Sequence, residues 1–492
     1  MTRTASALAI SLIVCLSTRT PAQQPANEEV TKQVRLGRAP VSNSVLAVHL
    51  PEPPVQTLPN GLRYVILPDH STPLVNISLS IQGAGPLLEP SSQRGVAALT
   101  ASILRQGTTS RTAAELAEAI DRLGANIGAN APLGAEAVTV YGGGLSKNVQ
   151  SWFPLFADVV LHPAIDSEEL KLTLRRQLAT IEQRRSDPGT IATDRMYRDL
   201  YDDFPAGYYL PSAAQVSSLT QDQIRAFHTE RYVPQNAVLA IQGDIEPAIA
   251  KAMVEKLFTG WKPTSYNPQV PSLPTADTST SAHTIAFIER ANSVQTELAV
   301  GKVGIRRIDL DFFPLTVANY LLGGSSTGRL FTNLREEKGY TYGAYSSLAA
   351  VQYPGPFIAS TEVRSAVTTE ALQEIQKEIA RLSQEDVPID GLQRAQRGIV
   401  AAFALSIERP ATMLSQQITR IQYSLPIDYW NTYPAHISSV TAKDIRRVSS
   451  SHLDPTQMHV VVVGNREILT RLATFGKISE FDTQGQPVVG KP

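Results

Sequence analysis

The sequence predicts an α+β fold made of two copies of one domain joined by a linker. Three observations carry that prediction. β-rich runs and helical stretches follow one another twice along the chain in the same order. Between the two series lies WKPTSYNPQVPSLPTADTSTSAH, residues 261–283, rich in Pro, Ser and Thr and poor in apolar side chains, which is the composition of a linker. Finally, RYVPQNAVLAIQGDI (231–245) matches HLDPTQMHVVVVGNR (452–466). Pro234 and Pro455 precede the apolar runs, and Gly243 and Gly464 end them. Chance agreement between two strand–glycine ends would not require the shared proline.

The first 22 residues read as a signal peptide and stand outside the fold. Arg3 supplies the positive start, residues 5–17 are an apolar run too short to cross a bilayer as a helix, and Ala22 is a small residue before a cleavage point. Export across the inner membrane to the periplasm is therefore expected. No later stretch reaches the roughly 18 apolar residues of a membrane span. The single cysteine, Cys15, lies in this segment. Val14 before it is not the small residue that a lipoprotein signal requires. The mature chain then has no disulfide and no thiolate ligand or nucleophile.

The first copy is expected over residues 50–260. Strand patterns at 62–67 and 74–81 flank a Pro-Asp-His-Ser turn. An apolar helix opens at Gly95 in GVAALTASILRQGT. A second follows, with Thr112 and Glu115 spaced as a capping box. Residues 136–141 alternate as a strand. Asp166 or Ser167 caps a long charged helix that runs to about Arg185 and is ended by Pro188. NAVLAIQGD (236–244) has the continuous apolar pattern of a buried strand. The second copy is expected over 284–475. Strands at 284–288 and 295–300 precede a helix at 311–322. Strand regions at 342–349 and 355–362 precede a helix at 368–382, and MHVVVVGN is the last strand.

Charge excludes some functions. Lys and Arg total 44 against 45 Asp and Glu, a net charge of −1, which gives no overall pull toward nucleic acid or an anionic membrane. A metal site needs imidazoles or carboxylates that converge, on a helix at i, i+3 or i, i+4. The eight histidines show no such spacing, so each reads as a surface or core residue. GSSTG (324–328) matches G-x-S-x-G, but that elbow follows a strand, and the preceding FPLTVANYLLGG has helical spacing. In LREEKGYTYGAYSS, Arg335 and Tyr342 stand seven apart around a glycine. Such an arginine can pair with a carboxylate or carbonyl, and such a hydroxyl can donate to an oxyanion.

These landmarks, in order, resemble the pitrilysin and insulinase family of zinc peptidases, which includes the processing peptidases. They are LPNGLRYVILPD, GVAALTASILRQGT, RYVPQNAVLAIQGD and LLGGSSTGRLFTNLREEKGYTYGAYS. Active members carry an inverted motif, H-x-x-E-H, within G-L-A-H-F-L-E-H-M-L-F-K-G-T. The chain aligns with it without a gap from Gly95 to Thr108. Ala98 and Ser102 then stand at the two histidine positions and Ala101 at the catalytic glutamate. A further glutamate ligand is expected 70 to 80 residues on. Glu182 is the nearest carboxylate, although Ala179 and Thr180 lie closer.

The resemblance implies two α/β-sandwich-like domains forming a half-clamshell, with no zinc in this chain. It also implies a heterodimer, in which an H-x-x-E-H partner carries the zinc and this chain completes the chamber around a peptide substrate. Arg335 and Tyr342 would be contributed to that partner in trans. The alternative is a stand-alone peptide-binding or scaffold pseudoenzyme of the cell envelope. An unrelated chemistry would need a nucleophile, base and orienter in one place, and no such set can be assembled.

Overall fold

The computed structural model describes residues 46, 48–270 and 284–488. The expected signal segment, Cys15 and residues 271–283 of the linker lie outside the described residues.

Each half builds a six-stranded mixed sheet. The first contains β1 (Gln56–Thr57), β2 (Arg63–Pro68), β3 (Leu74–Gln82), β4 (Asn126–Asn130), β5 (Ala137–Leu145) and β6 (Ala237–Gly243), in the order β1-β2-β6-β3-β5-β4. The second contains β7 (Thr284–Glu289), β8 (Gln295–Val303), β9 (Thr341–Leu348), β10 (Pro356–Arg364), β11 (His459–Gly464) and β12 (Lys477–Phe481), in the order β12-β7-β11-β8-β10-β9. Five strands correspond in place and direction. In both sheets a central strand (β6, β11) runs parallel to one neighbour and antiparallel to the other. The sixth differs, since β1 is antiparallel to β2 and β12 is parallel to β7.

The two matched sequence runs thus become the equivalent strands β6 and β11. Both are covered on two faces, so both read as continuous apolar runs. Their terminal glycines are needed for different reasons. Gly243 has φ +136°, and a Cβ there would fall 2.0 Å from the Leu74 carbonyl. At Gly464 a Cβ would meet only the Thr296 side chain, at 2.7 Å.

One face of the first sheet packs on its own helices, with Leu79, Ile81 and Val140 joining Trp152, Phe153 and Phe156 in one core. Its other face is covered by a helix from the second half, Pro410–Gln422, whose Leu414 and Ile418 pack with Val65, Val238 and Ala240. The reverse holds for the second sheet. The helix Pro188–Tyr201 of the first half lies on β8 and β11, with Ile191 and Met196 against Ala286, Ala299 and Val461. Each half therefore buries the far side of the other's sheet.

Pro188 departs from expectation. It does follow the long helix Ser167–Ser186, yet it also opens the next helix as its first residue, where a missing N–H costs nothing. Asp187 caps that helix by accepting the Thr190 N–H at 2.7 Å. At this elbow Arg185 and Asp194 form a buried ion pair at 3.1 Å. Arg185 also donates to the Thr483 carbonyl at 2.9 Å, and Asp194 accepts the Leu210 N–H at 3.0 Å. Asp194 also accepts from Arg198 Nε at 3.2 Å, while Arg185 Nε has no partner among the described residues, so these bonds offset part of the pair's desolvation.

Met196 is fully buried at the crossing helix. Met196→Ala should cost about 2–4 kcal/mol and should leave a single urea transition, because the two halves share their buried faces. A second transition on urea unfolding would contradict that coupling.

Candidate functional site

The apolar stretch at Gly95 forms the helix Val96–Ile103, entered through Gly95 at φ +93°. Val96, Leu99 and Ile103 are buried in the first core, so the helix holds its place by its apolar face. Its start is satisfied by a side chain that sequence reasoning passed over. Glu89 accepts the Gly95 N–H at 2.8 Å and the Ala97 N–H at 2.6 Å. A carboxylate is favoured at a helix N-terminus, and here both oxygens are used. Burial nevertheless pushes its pKa up to about 7, against the pull of the two amides and of Arg94.

The side of the helix away from the core faces a cleft of about 140 Å³. Ala98, Ala101 and Ser102 line it together, joined by Gln177, Thr180 and Arg184 of the long helix. The three aligned positions and the downstream helix are thus brought to one place. Thr180, not Glu182, reaches the cleft; Glu182 is exposed on another side of its helix. These residues do not fit a zinc ion. Two are alanines, Ser102 Oγ donates to the Ala98 carbonyl at 2.8 Å, and Thr180 Oγ1 donates to the Arg176 carbonyl at 3.0 Å. Among the described residues, no group of three or more His, Cys, Asp or Glu converges to hold a metal.

Arg335 and Tyr342 lie in the second half. Arg335 sits on a turn of π-helix, Thr332–Glu337. That turn is anchored by Asn333, whose Nδ2 donates to Glu374 at 2.9 Å and to buried Glu378 at 2.8 Å. Arg335 itself is exposed, lies 5.2 Å over the Phe331 ring and donates to the Tyr342 carbonyl. Tyr342 is 84% exposed on β9, the edge strand of its sheet. The two residues are therefore adjacent and open to solvent. Neither lines the Ala98 cleft.

The other motifs resolve as structure. His228 is half-buried, donates from Nε2 to the Val160 carbonyl at 2.9 Å, and its pKa is pushed down to about 4 by desolvation. His70 pairs with Asp244 at 2.7 Å and His452 with Asp311 at 2.9 Å. The GSSTG segment follows the helix Phe312–Leu322, not a strand.

The family profile described as Insulinase (Peptidase family M16) matches residues 63–212, and the one described as Peptidase M16 inactive domain matches residues 218–399. The chain belongs to peptidase family M16. Among M16 relatives, the protein named uncharacterized zinc protease YmxG of Bacillus subtilis is 24% identical over 361 residues, 73% of this chain and 86% of that protein. A Mycobacterium bovis protein also named an uncharacterized zinc protease is 28% identical over 346 residues, 70% and 76% of the two. The M16 fold recurs in two solved structures. One is a peptidase M16 inactive domain from Pseudomonas fluorescens, with a TM-score of 0.77 and 24% identity over 84% of this chain and 98% of that one. The other is a protease from Helicobacter pylori, with a TM-score of 0.76 and 18% identity over 84% and 100%.

Two expectations follow. Because burial holds the Glu89 pKa near 7 in the folded state against an ordinary 4.5, the folded protein keeps a proton that the unfolded chain releases. That contribution is full below pH 4.5 and is lost as pH rises through about 7. Glu136 and Glu297 are raised to about 7 in the same way. The urea midpoint should therefore fall from pH 5 to pH 8, and Glu89→Gln should flatten the slope without removing it. An unchanged slope would mean that Glu89 is ionised throughout. Second, Ala98→His, Ala101→Glu and Ser102→His together supply two imidazoles but leave Thr180 in the third place. Metal analysis after dialysis should find no stoichiometric zinc, and one zinc per chain would show that another group completes the site.

Proposed function

We propose that this chain is the non-catalytic subunit of a heteromeric M16 endopeptidase of the periplasm. Its partner would carry H-x-x-E-H and the zinc. The observation that carries the reading is the contrast between the two halves. The cleft of the first has lost every ligand, while the second keeps Arg335 and Tyr342 side by side and exposed on an edge strand. Neither lines the Ala98 cleft, which suits residues that serve a site on another chain. Arg335 would hold a substrate carbonyl or carboxylate, and the Tyr342 hydroxyl would donate to the oxyanion as it forms. The description of the Pseudomonas fluorescens relative as an inactive domain agrees with this reading.

A second reading is a stand-alone peptide-binding scaffold. It is favoured by a groove of about 520 Å³ between the first sheet and the helix Pro410–Gln422, floored by Ser78, Ser80 and Gln82.

The test is cleavage of a quenched peptide by an H-x-x-E-H relative from the same organism, with and without this chain. Activity should require both. Arg335→Ala or Tyr342→Phe should lower kcat/KM by about 10–100-fold, with co-elution on gel filtration unchanged. Full activity of the partner alone, without association, would move the scaffold reading forward. Unchanged turnover in both variants would remove the role in trans.

A further inference from the structure

The cleft at Ala98 contains one charged group that nothing so far has used. Arg94 lines it and is only 5% exposed. Its guanidinium stacks over the Tyr208 ring, 4.4 Å from the centroid. Stacking occupies a face of the group, so only its edge, where the N–H donors point, could take a partner. Yet Nε and Nη1 are buried with no hydrogen-bond partner among the described residues. Glu89 lines the same cleft and its charge acts on Arg94, but both of its oxygens already accept helix amides and neither accepts from the guanidinium. A buried arginine with idle donors is costly unless something pairs with it. The same cleft presents a second guanidinium, Arg184, and the uncharged donors Gln177 and Asn130. Ala98 and Ala101 make one part of its wall small and apolar, and Tyr208 and Tyr209 close another.

We infer that this cleft is a carboxylate pocket, in which Arg94 receives the anion through its idle edge donors and the alanines left by the missing zinc ligands make room for it. The forked guanidinium matches the two oxygens of a carboxylate. The volume of about 140 Å³ admits a small acid or the last residue of a peptide, not a larger ligand. The cation site of active M16 members would thus have become an anion site. This inference does not rest on the subunit role, because the pocket lies wholly within this chain.

The experiment uses the mature chain alone at fixed ionic strength. Calorimetry would compare propionate with a short peptide ending in alanine, supplied as free acid and as amide. Saturable binding of a carboxylate is expected, with a Kd of about 1–10 mM for propionate. Arg94→Lys, which keeps the charge but loses the fork, should weaken it about tenfold. Arg94→Met should abolish it. Binding of the peptide acid but not of propionate or the amide would assign the pocket to peptide C-termini. Binding of propionate alone would assign it to free acids. Equal binding of acid and amide, affinity unchanged in Arg94→Met, or no saturable binding of any probe would overturn the inference.

Discussion

The structure depends on two helices that cross between its halves. Each sheet has apolar side chains on both faces, and the helices of its own half cover only one. Pro188–Tyr201 and Pro410–Gln422 supply the missing covers reciprocally. The burial of Val65, Val238 and Ala240 on one side, and of Ala286, Ala299 and Val461 on the other, is thereby shared property. Hydrophobic burial scales with the area removed from water, so neither sheet reaches its full stability without the other half. The functional geometry inherits this dependence. The helix Ser167–Ser186 that carries Gln177, Thr180 and Arg184 to the cleft continues through Asp187 and Pro188 into the crossing helix. The buried Arg185–Asp194 pair sets the elbow between them. The cleft in the first half is consequently held in part by the sheet of the second.

The same logic explains how the helix at Gly95 keeps its place with no ligand on it. Val96, Leu99 and Ile103 face the core, Ala98 and Ser102 face the cleft, and Ala101 lies at the border of the two. Its burial does not depend on what stands at Ala98 and Ser102, and Glu89 satisfies the first amides of the helix. The Arg335–Tyr342 corner is built with similar independence. Asn333 ties its π-helical turn to Glu374 and Glu378, so the two exposed residues keep their arrangement with no ligand against them.

Much of this was legible in the residues themselves. The Thr112–Glu115 capping box forms as spaced, with the Thr112 N–H donating to Glu115 at 2.9 Å. The repeated Pro-to-Gly run identified β6 and β11 as equivalent strands, since a strand buried on two faces must be apolar throughout. The gapless alignment put Ala98, Ala101 and Ser102 at the ligand positions of the family motif, and the structure gathers the three on one cleft. What stayed hidden has physical causes. An amphipathic helix declares that it packs, not against what, so the exchange of covers could not be read. Pro188 was taken as a stop because the same proline that ends one helix is equally suited to begin another. The downstream position fell to Thr180 and not Glu182 because helix rotation, not sequence distance, decides what faces the cleft. Arg94 and Glu89 look like the solvated flanks of a glycine turn. Only the return of Glu89 onto the helix amides, six and eight residues on, brings both inside.

The first part of the segment joining the two series of elements is pinned to the first half, since Trp261 is buried in its core and the Tyr266 hydroxyl donates to the Gly83 carbonyl. Beyond residue 270 the connection joins pieces already interleaved through their covering helices, so those helices and not the connection hold the halves together. Closing a longer flexible loop costs only about 0.6 kcal/mol for each doubling in residues. A longer connection beyond residue 270 is correspondingly cheap for the interleaved body.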